Sequence, residues 1–358
     1  MRTFARQILC AIAILVGGVC VTRAQTPPYF YQGRDHGSES LFNPWNLMLN
    51  GGFDILQSTR YRELGTLPYG PGAKNVFKNL ADPFSAIRNY GVGSFIRDEI
   101  FPLSLEKDNG QWWPNYTLHL IGGGRTYRAM AEWFAFHGYG SSKLLSAVTM
   151  AAYHFVNEAL ENQTYDGYAV DPIADIYIFD LGGILLFESE SVCKFFSSTL
   201  NLADWSLQPS YLPQNNQLHN NGQYFSMKWK LPFAKPWHVF YYFGLDGLVG
   251  LSYTFENGKS ISASYGLVGK GLRVLSDVTN KKTVDLVESL GFFYDDENNL
   301  LASMVLTRKT DYTVSINFFP GIFRVGKFNF GGWFVVSGHN GVMVGLTTAV
   351  VPGLGMQF

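Results

Sequence analysis

The chain has 358 residues, with 27 basic and 28 acidic side chains, 47% hydrophobic and 16% aromatic residues, and only 15% charged residues. The near-neutral balance lacks the basic footprint of a nucleic-acid-binding protein, so no nucleic-acid partner is expected, and charge is sparse for an ordinary soluble domain. The length accommodates one large or two medium domains.

Residues 1–24 read as a removable secretory signal. Arg2 and Arg6 form the charged start, Leu9 to Val21 the apolar stretch, and Thr22-Arg23-Ala24 ends in a small residue before Gln25. A lipoprotein reading through Cys20 fits less well, because Gly18-Val19 departs from the usual pattern before a lipidated cysteine. Cleavage would remove Arg2, Arg6 and Arg23 and no acid, which takes the formal net charge from −1 to about −4. Cys10 and Cys20 leave with the signal, so Cys193 has no intramolecular disulfide partner. No later apolar run reaches the roughly 18 residues of a spanning helix, which leaves a closed β-barrel as the route into a membrane.

Residues 25–110 read as an irregular N-terminal region, in the periplasm or packed against a barrel. Helical patterning over Phe42 to Ser58 and Ala73 to Ile100 is broken by Gly51-Gly52 and Pro83. Residues 111–197 read as a helical subdomain. Its three apolar segments, Asn115 to Gly124, Ala151 to Glu161 and Asp171 to Phe187, each carry isolated polar residues. Over Ser142 to Asn162, His154, Glu158 and Glu161 stand at i, i+4 and i+7 and share a helix face with Ala147 and Ala151. Asp171 before Pro172 reads as a helix N-cap, with Asp175 one turn further on. His119 precedes Gly122 to Gly124, where a neighbouring helix can approach closely.

From about Thr199 the apolar period changes from 3.6 to 2. Phe225, Met227, Trp229 and Leu231 alternate with Tyr224, Ser226, Lys228 and Lys230; Ile261, Ala263, Tyr265 and Leu267 alternate with serines and Gly266; Tyr312, Val314, Ile316 and Phe318 alternate with Thr313, Ser315 and Asn317. Residues 198–358 are therefore expected to form an antiparallel transmembrane β-barrel of about ten strands, with a range of 8–12, in an α+β chain. Further strands are expected over Thr199 to Leu207, Trp237 to Leu245, Gly247 to Phe255, Val284 to Tyr294, Leu300 to Thr307, Val325 to Val336 and Val342 to Phe358. A three-residue connection around Asn257-Gly258 is expected to place Phe255 opposite Ile261 and Tyr253 opposite Ala263. Trp229, Trp237, Tyr241, Tyr242 and Trp333 are candidates for interfacial girdles. The final stretch alternates bulky and small residues and ends in Phe358, a C-terminal signal resembling that of Gram-negative outer-membrane barrels. The partners this implies are outer-membrane lipid and the barrel-assembly machinery.

His119, His154, Glu158 and Asp175 form a candidate polar cluster, because charges buried in apolar helices are stable only when they meet one another. Three explanations compete. One is a hydrogen-bonded structural network. Another is a hydrolytic site for a lipid or lipid-linked substrate, with a histidine as general base and a carboxylate orienting it. No nucleophile stands out, since Ser141, Ser146 and Thr149 lack an elbow motif and Cys193 is isolated. The third is a metal site from His154, Glu158 and Asp175, which lacks the HExxH arrangement; no metal or cofactor is expected.

The residues Asn115-Tyr-Thr-Leu-His-Leu, Asn157-Glu158, Asp171-Pro-Ile-Ala-Asp175, Phe179-Asp180 and Gly182-Gly183 resemble a bacterial family known only as a domain of unknown function, often followed by a predicted barrel. The resemblance covers Trp112 to Trp205. It implies an outer-membrane location and no assigned activity, and it carries no catalytic residues over. The expected role is an outer-membrane barrel with a structural or narrow-lumen transport function, or alternatively an envelope lipid-modifying hydrolase.

Overall fold

The computed structural model describes residues 28–59, 62–103, 113–276, 280–326, 328–339, 341–349 and 352–358. The expected signal peptide and its two cysteines lie outside the described residues. The chain is α+β: a helical N-terminal part is followed by one 13-stranded sheet. Among the described residues no helix is long and apolar enough to cross a membrane.

The helical part begins where local sequence dictates. Asn43 caps helix α1 (Pro44–Gly51) by accepting the Asn46 N–H, and Pro44 sits at the first turn, where its missing N–H is not needed. Asp82 does the same for α3 (Pro83–Tyr90), which directly follows α2 (Tyr69–Ala81). A π-helical segment, Trp113–Gly123, runs into α4 (Gly124–Phe136), and α5 (Ser142–Asn162) is the longest helix. The third segment is composite: α6 (Asp171–Ala174), a π-helical turn over Asp175–Asp180, and α7 (Leu181–Phe187). Helix α8 (Glu190–Lys194) follows, and one more short helix, Val92–Phe95, lies after α3.

The described helices of the N-terminal region pack against the later ones. Val76, Leu80 and Ala86 from α2 and α3 share one core with Ile173, Ala174 and Phe179. The apolar faces of these short helices are covered only when the two regions fold together. Helices α4 and α7 meet at Gly124 and Gly183, where a Cβ on Gly183 would lie 2.6 Å from the Leu120 carbonyl oxygen. The close approach expected at Gly122 to Gly124 is therefore present, with Gly183 as its counterpart.

The strands are β1 (Ala203–Asp204), β2 (Ser210–Leu212), β3 (Gln217–His219), β4 (Phe225–Lys230), β5 (Trp237–Phe243), β6 (Asp246–Thr254), β7 (Lys259–Ser276), β8 (Lys281–Asp296), β9 (Asn299–Thr307), β10 (Val314–Val325), β11 (Phe328–Ser337), β12 (Gly341–Thr347) and β13 (Gly353–Gln357). From β4 to β13 each strand pairs antiparallel with the next. β1 adds to β4 at one end of the order, and β2 and β3 add beyond β13 at the other. Among the described residues the hydrogen-bonded ladder does not close, and in place of about ten strands the order holds 13, with an uninterrupted meander from β4 to β13.

The sheet is nevertheless strongly curled. Only residues 205–209 separate β1 from β2, so the span from Asp204 to Ser210 is at most about 20 Å for an extended chain. That segment runs along the inside of the curl. The Trp205 ring meets Phe240, Tyr242 and Phe293, and the Gln208 side chain reaches Asn317, the carbonyls of Phe318 and Gly332, and Thr347. These partners come from strands on several sides of the segment. The strand expected over Thr199 to Leu207 is thus reduced to β1: Thr199 ends the π-helical segment Phe195–Thr199, and Trp205 and Leu207 pack into the interior.

Other expectations are corrected in detail. The loop at Asn257-Gly258 does hold three residues, with Gly258 at φ +83, but Phe255 faces Lys259 and Tyr253 pairs with Ile261. The last stretch is two strands, β12 and β13, with Pro352 before β13, where a proline cannot donate to the ladder. Tyr312 belongs to the turn Thr310–Tyr312. Trp333 is buried and donates to Ser210 Oγ at 2.7 Å, and Tyr242 is buried and stacked on Tyr224, so neither faces outward; Trp229 and Trp237 do.

The two faces of the sheet are inverted relative to a soluble sandwich. Leu251 is 49% exposed, Leu346 66% and Leu354 63%, with Val249, Ile261, Tyr265, Leu290 and Phe292 on the same outer face. Ser226, Ser252, Ser262, Ser264, Ser289, Asn317 and Thr347 are buried on the inner one. Inside, Lys228 pairs with Asp295 at 2.5 Å and its ammonium lies 5.3 Å over the Trp205 ring.

Candidate functional site

The three apolar segments of the helical part converge, and their polar residues form one buried cluster. His119 comes from the π-helical Trp113–Gly123, His154 and Glu158 from α5, Asp171 from α6, and Asp175 and Asp180 from the turn between α6 and α7. All four residues expected to cluster are present, joined by Asp171 and Asp180. Asp171 is not an N-cap: Val170 takes that position without a side-chain bond, and the Asp171 carboxylate turns toward Glu158 and Asp175.

The cluster has two triads, each with one ligand-type atom per residue and all three atoms within 4.8 Å of one another. The first is His119, His154 and Asp180; the second is Glu158, Asp171 and Asp175. His154 Nδ1 and Asp180 Oδ2 are hydrogen-bonded. His119 links the triads, with Nε2 3.4 Å from Asp175 Oδ2 and Nδ1 3.5 Å from Asp180 Oδ1. The two imidazole rings lie edge to face, 5.1 Å between centroids. Gly123 borders the site: a Cβ there would lie 3.6 Å from both Asp180 Oδ1 and His154 Cε1.

Asp180 was hidden by the helical period. Five residues of α-helix separate side chains by roughly 140° around the axis, so a 3.6-residue reading puts Asp175 and Asp180 on different faces. The wider π winding brings i and i+5 onto one side, and such windings concentrate at functional sites. The Phe179-Asp180 pair is conspicuous in the sequence only as an acid in an apolar run.

Burial penalises every charge in this cluster, and the neighbours decide which charges survive. At His119 the penalty is outweighed by Asp180, with Glu158 and Asp171 adding to it, and the pKa lies above the ordinary value. At His154 burial prevails over Asp180 and the pKa is lowered. Burial also opposes ionisation of Asp180, but His154 and His119 overcome it and hold that carboxyl below the usual range. Burial followed by Asp175 drives Glu158 well up; burial followed by Asp171 and Asp180 does the same at Asp175. Burial and Glu161 push Asp171 up to about 6.

A cleft bordered by Tyr90, Glu99, Glu161, Asn162, Asn280 and Lys282 opens onto Glu158 and Asp171. Lys282, in β8, hydrogen-bonds the Glu161 carbonyl and lies 3.7 Å from its carboxylate. The start of β8 therefore stands beside the carboxylate side of the cluster.

The hydroxyls of Ser146 and Thr149 are engaged by backbone carbonyls. Ser146 donates to the Tyr127 carbonyl at 2.6 Å and Thr149 to the Leu145 carbonyl at 2.8 Å, while Ser141 sits at the start of α5. Cys193 is buried and its thiol donates to the Phe187 carbonyl. Chemically, the arrangement can orient and polarise a water or hold a cation. No protein-family model matches the chain, and no curated protein or solved structure is found similar to it.

Proposed function

We propose that this protein is an integral β-barrel of the Gram-negative outer membrane whose interior is filled, so that it acts as a membrane-embedded platform for the helical part and not as a pore. The observation that carries this reading is the inverted sheet: leucine, valine, isoleucine and aromatic side chains lie outward while serine, asparagine and a paired lysine are buried. Exposed apolar area on this scale is unfavourable in water and favourable against lipid. The interior position of Trp205 and Gln208 and the Lys228–Asp295 pair argue for a closed lumen over a transport path. The signal-peptide pattern and the resemblance to an outer-membrane family point the same way. Outer-membrane lipid is then the partner of the outer face, and the barrel-assembly machinery would engage β13, where Leu354, Met356 and Phe358 are exposed.

The test is fractionation and gel migration. The protein should appear in the outer-membrane fraction, migrate faster unheated than heated, and give no ion conductance in planar bilayers. Recovery as a soluble periplasmic species would overturn the reading, and large stable conductance steps would overturn the filled interior.

A second reading, hydrolysis of an envelope lipid or lipid-linked ester, is favoured by the cleft that reaches Glu158 and Asp171 beside β8. Such a site would act through a water deprotonated by a histidine. Glu158→Gln should then abolish a lipid change while the heat-modifiable fold is kept; an unchanged lipid profile in both chains would argue against it.

A further inference from the structure

We propose that His119, His154 and Asp180 form a binding site for a first-row divalent cation of the zinc class, with Asp175 orienting the His119 ring from behind. Two imidazoles and a carboxylate are the donor set of sites that leave a coordination position open. The set comes from three separate segments, and two of its members are placed by π-helical windings.

Beyond the donor types, particular atoms point to an ion. His119 Nδ1 and Asp180 Oδ1 are both buried and neither has a hydrogen-bond partner; Asp175 Oδ1 is in the same condition. Asp180 is 4% and Asp175 5% exposed, so water does not satisfy them at the surface. His119 Nδ1 and Asp180 Oδ1 face each other at 3.5 Å. Two donors each about 2.0–2.1 Å from one tetrahedral zinc stand about 3.3 Å apart, so the spacing suits a shared cation better than a hydrogen bond. Asp175 Oδ2, 3.4 Å from His119 Nε2, occupies the place of the carboxylate that commonly accepts the second ring N–H of a metal-bound histidine. At Gly123 the backbone itself borders Asp180 and His154, and the space a Cβ would take is met by the Met150 methyl at 2.9 Å.

The site does not depend on the membrane reading, and its test is read on the purified full chain with the metal alone. After chelator treatment and dialysis, titration with Zn2+ against a chromophoric competitor should show at least one tight equivalent per chain. Co2+ in its place should give the visible absorption bands of a low-coordinate nitrogen–oxygen site. Asp180→Asn and His119→Gln should each weaken binding at least tenfold, whereas His137→Gln, an exposed histidine stacked on Trp133, should not. No tight equivalent in the native chain together with no Co2+ bands would overturn the proposal even if the variants fail to fold. Tight binding that survives both Asp180→Asn and His119→Gln in folded protein would also overturn it, by placing the ion elsewhere.

Discussion

Asp175 and Asp180 stand five residues apart on one π-helical turn, and both carboxylates turn toward His119. On an ordinary α-helix they would diverge, so the cluster exists only because the backbone is underwound into a wider turn at this place. Inserting one alanine between them, after Ile178, places the acids six residues apart, a spacing that diverges on either an α or a π winding. Metal affinity should fall by at least tenfold while the heat-modifiable migration remains; unchanged affinity would mean that the winding does not position the site.

The approach of α4 and α7 is set by two glycines. A Cβ on Gly183 would sit 2.6 Å from the Leu120 carbonyl oxygen, a backbone atom that cannot swing aside, and 3.0 Å from the Gly124 nitrogen. Gly183→Ala should therefore destabilise the protein by about 1–3 kcal/mol, the usual range for overpacking a tight contact. Urea titration followed by tryptophan fluorescence measures this, with Gly93→Ala, which meets open space, as the comparison.

Inside the sheet, Lys228 and Asp295 are buried and paired at 2.5 Å. Removing one partner leaves a charge with no solvent to receive it, so Lys228→Met should cost about 3–5 kcal/mol. The double variant Lys228→Met, Asp295→Leu should recover much of that loss. Equal stability of the single variant and the native chain would show that the pair is hydrated.

Asp54, in the turn Asp54–Ser58, accepts from Gln57 Nε2 and the Gln223 N–H, yet burial pushes its carboxyl from about 3.8 up to about 7. The folded chain then holds a proton that the unfolded chain has lost, so this group lowers stability as pH rises from about 4 to 7. Asp54→Asn should raise the urea midpoint at pH 8 and lose that advantage by pH 4. A gain of equal size at both values would contradict the assignment.

Burial raises the Cys193 thiol to about 11, and its S–H donates to the Phe187 carbonyl. Since the thiolate is the reactive form, the native protein should resist an aromatic disulfide reagent at pH 8 for hours and react within minutes in urea. Rapid labelling of native protein would show that the core around Phe187 opens.

The sequence made the periodic parts of this fold legible and hid those set by long-range packing. Alternation located β4 to β11 because each strand has one apolar and one polar face. It missed β2 and β3, which have only three residues each, and ran β12 and β13 together, because a run of small and apolar residues conceals the break between Thr347 and Gly353. His119, His154, Glu158 and Asp175 were readable as costly charges in apolar helices. Asp180 was not, since π winding has no signature in a 3.6-residue period, and Asp171 was misassigned because an acid before proline has a local use that its tertiary neighbours overrode.

The outward face of β6 offers the most direct test of the inverted sheet. Leu251 lies on the exposed face, in register with Ala263, while the adjacent Ser252 is buried inside. A polarity-sensitive fluorophore attached to Leu251→Cys in protein refolded into vesicles should be quenched by spin-labelled lipid chains and shielded from aqueous iodide. Full quenching by iodide with none by the lipid probe would place this face in water and contradict the membrane-embedded barrel.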